Sequence, residues 1–409
     1  MNRFGLLGEK LGHSYSPQIH QMLGDYAYPL IEKTPEEAER FLRTGDFDGL
    51  NVTIPYKKLA LRCCDRVSDR AARIGSVNTI VRRADGTLDG YNTDYDGFAW
   101  MVTRSGIPVA GKKTLVLGSG GASLTVQAVL RDMGAEVVVI SRNGPDHYDN
   151  LERHRDAELI VNTTPVGMFP QNGKSAVQLA NFPVCAGVFD LIYNPARTRL
   201  MLDAEARGIP YAGGLPMLVA QAKRAAELFL NEELPEHEIG RIVQRLRGEM
   251  ENIVLIGMPG CGKSTAGQRL AEQLGRPFVD ADAELVRTAE RTIPQIFAEE
   301  GEESFRRRET DVLAELGKRS GLVLATGGGC VTRPENYDLL HQNGRIVWLR
   351  RDRQQLAVDG RPLSQSGDLA EMERKRLPLY ERFADAAVDV DADPVITAKR
   401  IADAANRLG

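Results

Sequence analysis

Short apolar runs separated by longer segments of mixed polarity recur along most of the chain. Thr114–Gly118, Glu136–Ile140, Leu159–Asn162, Gly187–Leu191, Ile253–Ile256, Leu322–Ala325 and Arg345–Leu349 are rich in Val, Ile and Leu rather than alternating apolar with polar. Strands of this kind suit a parallel sheet covered by helices on both faces. The pattern predicts an α/β chain in three parts: an α/β domain at 1–100, a Rossmann-type βαβ domain at 101–213, and a parallel α/β domain at 251–409. The stretch 214–247 reads as a helix pair packing back on the first domain. Arg245–Asn252, polar with one glycine and one methionine, reads as a domain junction.

Composition narrows the field only slightly. A chain of 409 residues has room for two or three domains, each with its own core. A net charge of −4 gives no basic field for nucleic acid, although local arginines can hold small anions. The five cysteines show no C-x-x-C spacing and no histidine cluster nearby, so neither a zinc site nor a disulfide framework is expected. No apolar run is long enough to cross a bilayer and the N-terminus lacks a signal-peptide core, so the expectation is a soluble, cytoplasmic protein without a membrane partner. Oligomeric state stays open.

Chemistry enters with Gly257-Met-Pro-Gly260-Cys-Gly262-Lys263-Ser264-Thr265, which follows an apolar strand and precedes a helix-patterned segment. Glycines at these positions let backbone N–H groups turn toward phosphates, Lys263 reaches the terminal phosphates, and Ser264 is placed for Mg²⁺. The reading is a phosphate-binding loop for ATP or GTP. A second glycine-rich turn, Gly118-Ser-Gly120-Gly121-Ala122, lies between the strand at Thr114 and another helix, where a dinucleotide pyrophosphate can sit on the helix N-terminus. The next strand ends at Ser141-Arg142-Asn143. An NAD site would place an acid there, whereas an arginine suits the 2′-phosphate of NADP; a surface arginine at a strand end is the bland alternative.

Seven ordered segments precede or surround that turn: Ser14-Tyr-Ser16-Pro17, Asn51-Val-Thr53-Ile-Pro-Tyr-Lys57, Gly75-Ser-Val-Asn78, Gly90-Tyr-Asn-Thr-Asp94, Asn162-Thr-Thr-Pro-Val-Gly-Met168, Asp190-Leu-Ile-Tyr193-Asn-Pro195 and Met217-Leu-Val-Ala-Gln221. Together they resemble the shikimate dehydrogenase family. The resemblance implies that Ser14 and Ser16 hold a substrate carboxylate, that Thr53, Asn78 and Gln221 bond ring hydroxyls and carboxylate, and that Lys57 and Asp94 are the catalytic pair. Elementary chemistry agrees, since a ketone receiving a hydride needs a proton donor for the developing alkoxide. Standing alone, Lys57 is as readily an exposed lysine and Asp94 a helix cap. Two departures stand out: the chain is short between His20 and Glu32, and little sequence separates Asn143 from Leu159, so one α/β unit of the cofactor domain is expected to be trimmed.

Past the phosphate loop come Phe278-Val-Asp280-Ala-Asp282, Phe305-Arg306-Arg-Arg-Glu309, Gly327-Gly328-Gly329, Gly360-Arg361-Pro362-Leu and Arg376-Leu-Pro-Leu-Tyr380. This order resembles shikimate kinase over 251–409. It implies that Asp282 contacts the reacting hydroxyl, Arg306 and Arg376 clamp the substrate carboxylate, and Gly328 and Gly329 offer N–H groups. It further implies that Asp280 supports Mg²⁺ through water and that Arg361 belongs to a lid over the phosphates. Simpler alternatives are a helix cap for Asp280, a solvated Glu309 and a strand-end turn for the glycine triplet. The implied whole is a bifunctional enzyme using NADPH, ATP and Mg²⁺ on 3-dehydroshikimate and shikimate. Rival readings are a quinate-type dehydrogenase joined to another small-molecule kinase, and a regulator that binds these ligands without turnover.

Overall fold

The computed structural model describes residues 3–12, 14–356 and 369–408. Its contacts divide the chain into two compact units, Met1–Tyr193 with Thr198–Gln244, and Asn194–Arg197 with Arg245–Gly409.

The first unit holds two sheets. One contains β1 (Phe4–Gly8), β2 (Leu30–Glu32), β3 (Gly49–Val52), β4 (Arg66–Val67), β5 (Thr79–Arg82) and β6 (Leu88–Tyr91), in the order β2-β1-β3-β5-β6-β4. It is mixed: β1 runs parallel to β2 and β3, while β5 is antiparallel to both β3 and β6. The other is wholly parallel, with β7 (Lys113–Leu117), β8 (Glu136–Ile140), β9 (Leu159–Asn162), β10 (Gly187–Asp190) and β11 (Tyr211–Gly213) in the order β11-β10-β9-β7-β8. The helix Thr93–Ser105 leads from the first sheet to the second, and Leu215–Leu230 returns and packs along it. The sheet ends at β8. Between β8 and β9 stands only a 3₁₀ helix, Tyr148–His154, where a full α/β unit would need more chain. The trimmed unit read from the sequence is therefore present as such.

The second unit is one parallel sheet of β12 (Asn252–Ile256), β13 (Phe278–Asp280), β14 (Val323–Ala325), β15 (Gly344–Arg350) and β16 (Ala386–Asp389), ordered β13-β14-β12-β15-β16. Its core gathers the buried side chains of β12 and β15 with Leu270, Leu313, Leu340, Tyr380 and Ile401 from the surrounding helices. The long element Ile293–Gly317 is broken at Gly301, whose φ of 80° and ψ of 173° no helix accommodates.

Arg245–Asn252, read as a junction, is the end of the helix His237–Met250 followed directly by β12, and the division between the two units falls at its start, between Gln244 and Arg245. Ile239, Ile242, Val243 and Leu246 are buried at helical spacing while Arg241, Gln244 and Arg245 between them are exposed on the other face. All five cysteines are free. No described helix is long and apolar enough to cross a membrane.

Candidate active sites

In the first unit, a cavity of about 570 Å³ is lined by Ser14, Ser16, Thr53, Lys57, Asn78, Asp94 and Gln221, all singled out from the sequence. Lys57 opens the helix Lys57–Cys63, and Asp94 is the second residue of Thr93–Ser105. Lys57 Nζ donates to Asp94 Oδ2 at 2.5 Å, with both side chains mostly shielded. The cap of Asp94's helix is Asn92, whose Oδ1 accepts from Tyr95 N at 3.2 Å, so Asp94 is not consumed by capping. Asn78 is held by its Oδ1, which accepts from Thr93 N at 2.7 Å, and by its Nδ2, which donates to Thr93 Oγ1 at 3.1 Å. Gln221 Nε2 donates to Leu218 O at 2.9 Å.

The glycine-rich turn lies beside this cavity rather than in it. Ala122 lines the cavity, whereas Gly118, Gly120 and Gly121 form the passage from β7 into the helix Gly121–Asp132. No side chain caps that helix, so its first N–H groups are left uncapped, and a β-carbon on Gly120 or Gly121 would meet nothing within 4 Å. Ser123 Oγ shapes the turn by donating to Gly118 O at 2.7 Å. These donors lie at the switch between β7 and β9, where sheets of this kind take ligands. Arg142 is exposed just past β8. The donor set fits a dinucleotide pyrophosphate with an extra phosphate at the β8 end.

In the second unit, a cavity of about 430 Å³ brings together Gly260, Gly262, Lys263, Ser264, Thr265, Asp280, Asp282, Arg306, Gly328, Gly329 and Arg376. Gly257 precedes them in the same loop, directly after β12. Gly262, at φ 101°, turns the chain into the helix Lys263–Leu274, which has no side-chain cap. Lys263 Nζ is drawn over the loop, donating to Gly257 O at 2.9 Å and Met258 O at 3.1 Å. Asp280 has two duties: Oδ1 accepts from Asp282 N at 3.0 Å, capping the helix Ala281–Ala289, and Oδ2 accepts from Ser264 Oγ at 2.6 Å. A hydroxyl beside a carboxylate is a hard-oxygen pair suited to Mg²⁺, whose remaining positions water and phosphate would fill. Among the described residues, no cluster of three or more His, Cys, Asp or Glu could hold a metal by itself.

Asp282 is held in an environment that disfavours its charge. Burial, and then the neighbouring carboxylates Glu309 and Asp280, push its carboxyl up to about 6, against the pull of Lys263 and Arg306. Glu309 is not a solvated residue: it is 2% exposed and accepts from Arg306 Nη1 at 2.8 Å. Arg306 Nε is buried without an acceptor, which fits an anionic ligand. Gly329 lies so close to the Arg306 guanidinium that any β-carbon there would collide with it. Arg376 Nη1 and Tyr380 Oη both donate to Gly328 O, at 3.1 and 2.5 Å. Arg361 falls outside the described residues.

Sequence reading missed several lining residues. Asn51, Tyr193 and Met217 line the first cavity; all three stand inside the quoted segments but received no role. Phe297 and Arg351 line the second, and Arg351 follows directly on β15, the strand end where ligands of parallel sheets gather.

Comparison with known proteins follows the same division. The family model for the shikimate dehydrogenase substrate binding domain matches residues 6–80, and that for shikimate kinase matches residues 259–406. A shikimate dehydrogenase (NADP(+)) of Clostridium perfringens is 36% identical over 251 residues, covering 56% of this chain and 92% of that protein. The chain belongs to the shikimate dehydrogenase family. Its second unit carries a shikimate kinase domain. A second family member, from Methanopyrus kandleri, is 36% identical over 268 residues, covering 57% of this chain and 92% of its own. Among solved structures, the Thermus thermophilus shikimate 5-dehydrogenase in complex with NADP(H) and shikimate aligns with a TM-score of 0.55 at 34% identity, covering 60% of this chain and 99% of that one. A quinate dehydrogenase from Corynebacterium glutamicum in complex with NAD aligns at 0.54 and 27%, covering 59% and 97%.

Proposed function

We propose that the chain is a bifunctional enzyme that reduces 3-dehydroshikimate to shikimate with NADPH in its first unit and phosphorylates shikimate with ATP in its second. The observation that carries this is the convergence, in one cavity of each unit, of an acid–base group with the residues expected to hold a small hydroxylated carboxylate. The product of the first reaction is the substrate of the second.

In the first cavity, Ser14 and Ser16 hold the substrate carboxylate while Thr53, Asn78 and Gln221 take the ring oxygens. Asn78 still has one amide N–H to offer, because Thr93 uses the other. When bound, NADPH supplies the hydride to the carbonyl carbon. Lys57 Nζ delivers a proton to the oxygen as negative charge develops there, and Asp94 keeps the ammonium aimed. The turn Gly118–Ala122 and the N-terminus of its helix hold the pyrophosphate, and Arg142 takes the 2′-phosphate.

In the second cavity, Arg306 and Arg376 fork on the substrate carboxylate, with Gly328 and Gly329 presenting backbone donors. Asp282 accepts the proton of the attacking hydroxyl. Lys263 and the loop N–H groups of Gly257, Gly260, Gly262 and Thr265 hold the phosphates, and Ser264 and Asp280 hold Mg²⁺, which with ATP supplies the activated phosphoryl group. Arg361 is proposed as a lid residue on the sequence alone.

The test is a paired assay: NADPH oxidation with 3-dehydroshikimate, then ATP consumption with shikimate. Turnover with quinate and NAD instead would favour the quinate reading, which the Corynebacterium neighbour makes the relevant competitor. Ligand binding without turnover in both assays would leave only a regulator.

A further inference from the structure

Four cationic side chains line the second cavity: Lys263, Arg306, Arg351 and Arg376. Three are held by the protein. Lys263 bonds carbonyls of its own loop, Arg306 pairs with Glu309 and Glu302, and Arg376 bonds Gly328 O. Arg351 alone has no hydrogen bond or ion pair among the described residues, and its Nε is buried without an acceptor. A guanidinium drawn into a cavity and left unsatisfied costs free energy unless a ligand supplies the acceptors.

The sheet order says which ligand. With the strands arranged β13-β14-β12-β15-β16, the residues after β13 and β14 (Asp280, Asp282 and the glycine triplet) stand to one side of the phosphate loop that follows β12. Arg351, after β15, stands on the other. Its Nη1 lies 3.6 Å from where a β-carbon would sit on Gly262, a position that Val390 Cγ1, past β16, approaches to 3.9 Å. The guanidinium thus meets the phosphate loop on the flank away from the hydroxyl acceptor. Resting on the kinase reading above, we propose that Arg351 is a nucleotide-binding residue that grips the non-transferred phosphates of ATP. Planar, forked and always charged, a guanidinium suits phosphate oxygens. Because the contact persists in ADP, it holds ground state and transition state alike and should govern affinity more than turnover.

The experiment uses the full-length protein and its Arg351→Met and Arg351→Lys variants, measuring ADP binding by titration together with KM for ATP, KM for shikimate and kcat. Arg351→Met is expected to weaken ADP binding and raise the ATP KM by about tenfold or more, as for loss of a charged hydrogen bond. The shikimate KM should stay within about twofold and kcat at saturating ATP should change little. Arg351→Lys should fall between, because it keeps the charge without the fork. An unchanged ATP KM in Arg351→Met would overturn the proposal, as would equal losses toward ATP and shikimate accompanied by a lower unfolding temperature, which would mark a structural role. If the unsubstituted protein neither binds ADP nor phosphorylates shikimate, the kinase reading itself fails, and that outcome is distinct from the other two.

Discussion

A β-carbon on Gly97 would lie 2.9 Å from the Cβ of Gln221 and 2.6 Å from the carbonyl oxygen of Met217. The helices Thr93–Ser105 and Leu215–Leu230 therefore meet in direct backbone contact at the level of a residue proposed to hold substrate. Gly97→Ala should force them apart at a cost of roughly 1–3 kcal/mol, as overpacked contacts do. The displaced Gln221 should raise the KM for 3-dehydroshikimate. Kinase kinetics, measured on the same sample, should not move; unaltered dehydrogenase kinetics at normal stability would show that the contact does not position Gln221.

The Lys57–Asp94 pair is proposed to carry the proton chemistry of the first cavity. Lys57→Ala and Asp94→Ala should each lower dehydrogenase kcat by about 10² or more, the usual loss for a positioned proton donor or its partner. Near-normal turnover of either variant in steady-state assays would reduce that residue to a structural role.

Arg142 bears on cofactor choice. Replacing it with alanine should raise the KM for NADPH far more than that for NADH, since only the former carries a 2′-phosphate. Being exposed at the end of β8, it should leave the unfolding temperature unchanged. Equal use of both cofactors by the unsubstituted enzyme would contradict this.

Asp282 gives a pH signature. Its carboxyl, pushed up to about 6, is the proton acceptor only when ionised, so kinase kcat/KM should fall as pH drops through about 6. The same shift sets the sign for stability. Above the ordinary aspartate range the unfolded chain ionises freely, whereas the folded site resists, so stability is lost as pH rises from about 4 to about 6. Asp282→Asn should thus be nearly inactive yet unfold a few degrees higher at pH 7, with the gain fading toward pH 4. Calorimetry across that range, beside a pH–rate profile, checks both; a less stable variant at pH 7 would reject the electrostatic account.

Lys263→Ala should abolish phosphorylation by orders of magnitude, because phosphoryl transfer rests on charge neutralisation, while ketone reduction continues. Lys57→Ala should do the converse. Loss of both activities from either substitution in a folded protein would argue against independent sites.

The two parallel sheets were legible because their central strands are buried on both faces and so read as unbroken apolar runs. The mixed sheet was not, since strands such as Gly49–Val52 are short and interrupted by glycine and asparagine, and they gain their burial only from neighbours remote in sequence. The second helix of the pair read at 214–247 runs on to Met250, so its last turn falls within the stretch read as a junction, where polar residues outnumber apolar ones. That Lys57 and Asp94 line one cavity and Lys263 and Asp282 another agrees with the segments singled out in the sequence. That Asp280 caps a helix with one oxygen and meets Ser264 with the other could not be read there, nor could the unsatisfied Arg351, because a missing partner is a tertiary fact.

The truncated edge of the cofactor sheet carries its own consequence. With only a 3₁₀ turn beyond β8, the residues that would discriminate one nicotinamide cofactor from another sit on a rim that no further strand or long helix depends on. A substitution at an exposed position of that rim, such as Arg142, can therefore alter the proposed ribose end of the cofactor site without touching the catalytic cleft, in a fold whose solved relatives include complexes with NADP(H) and with NAD.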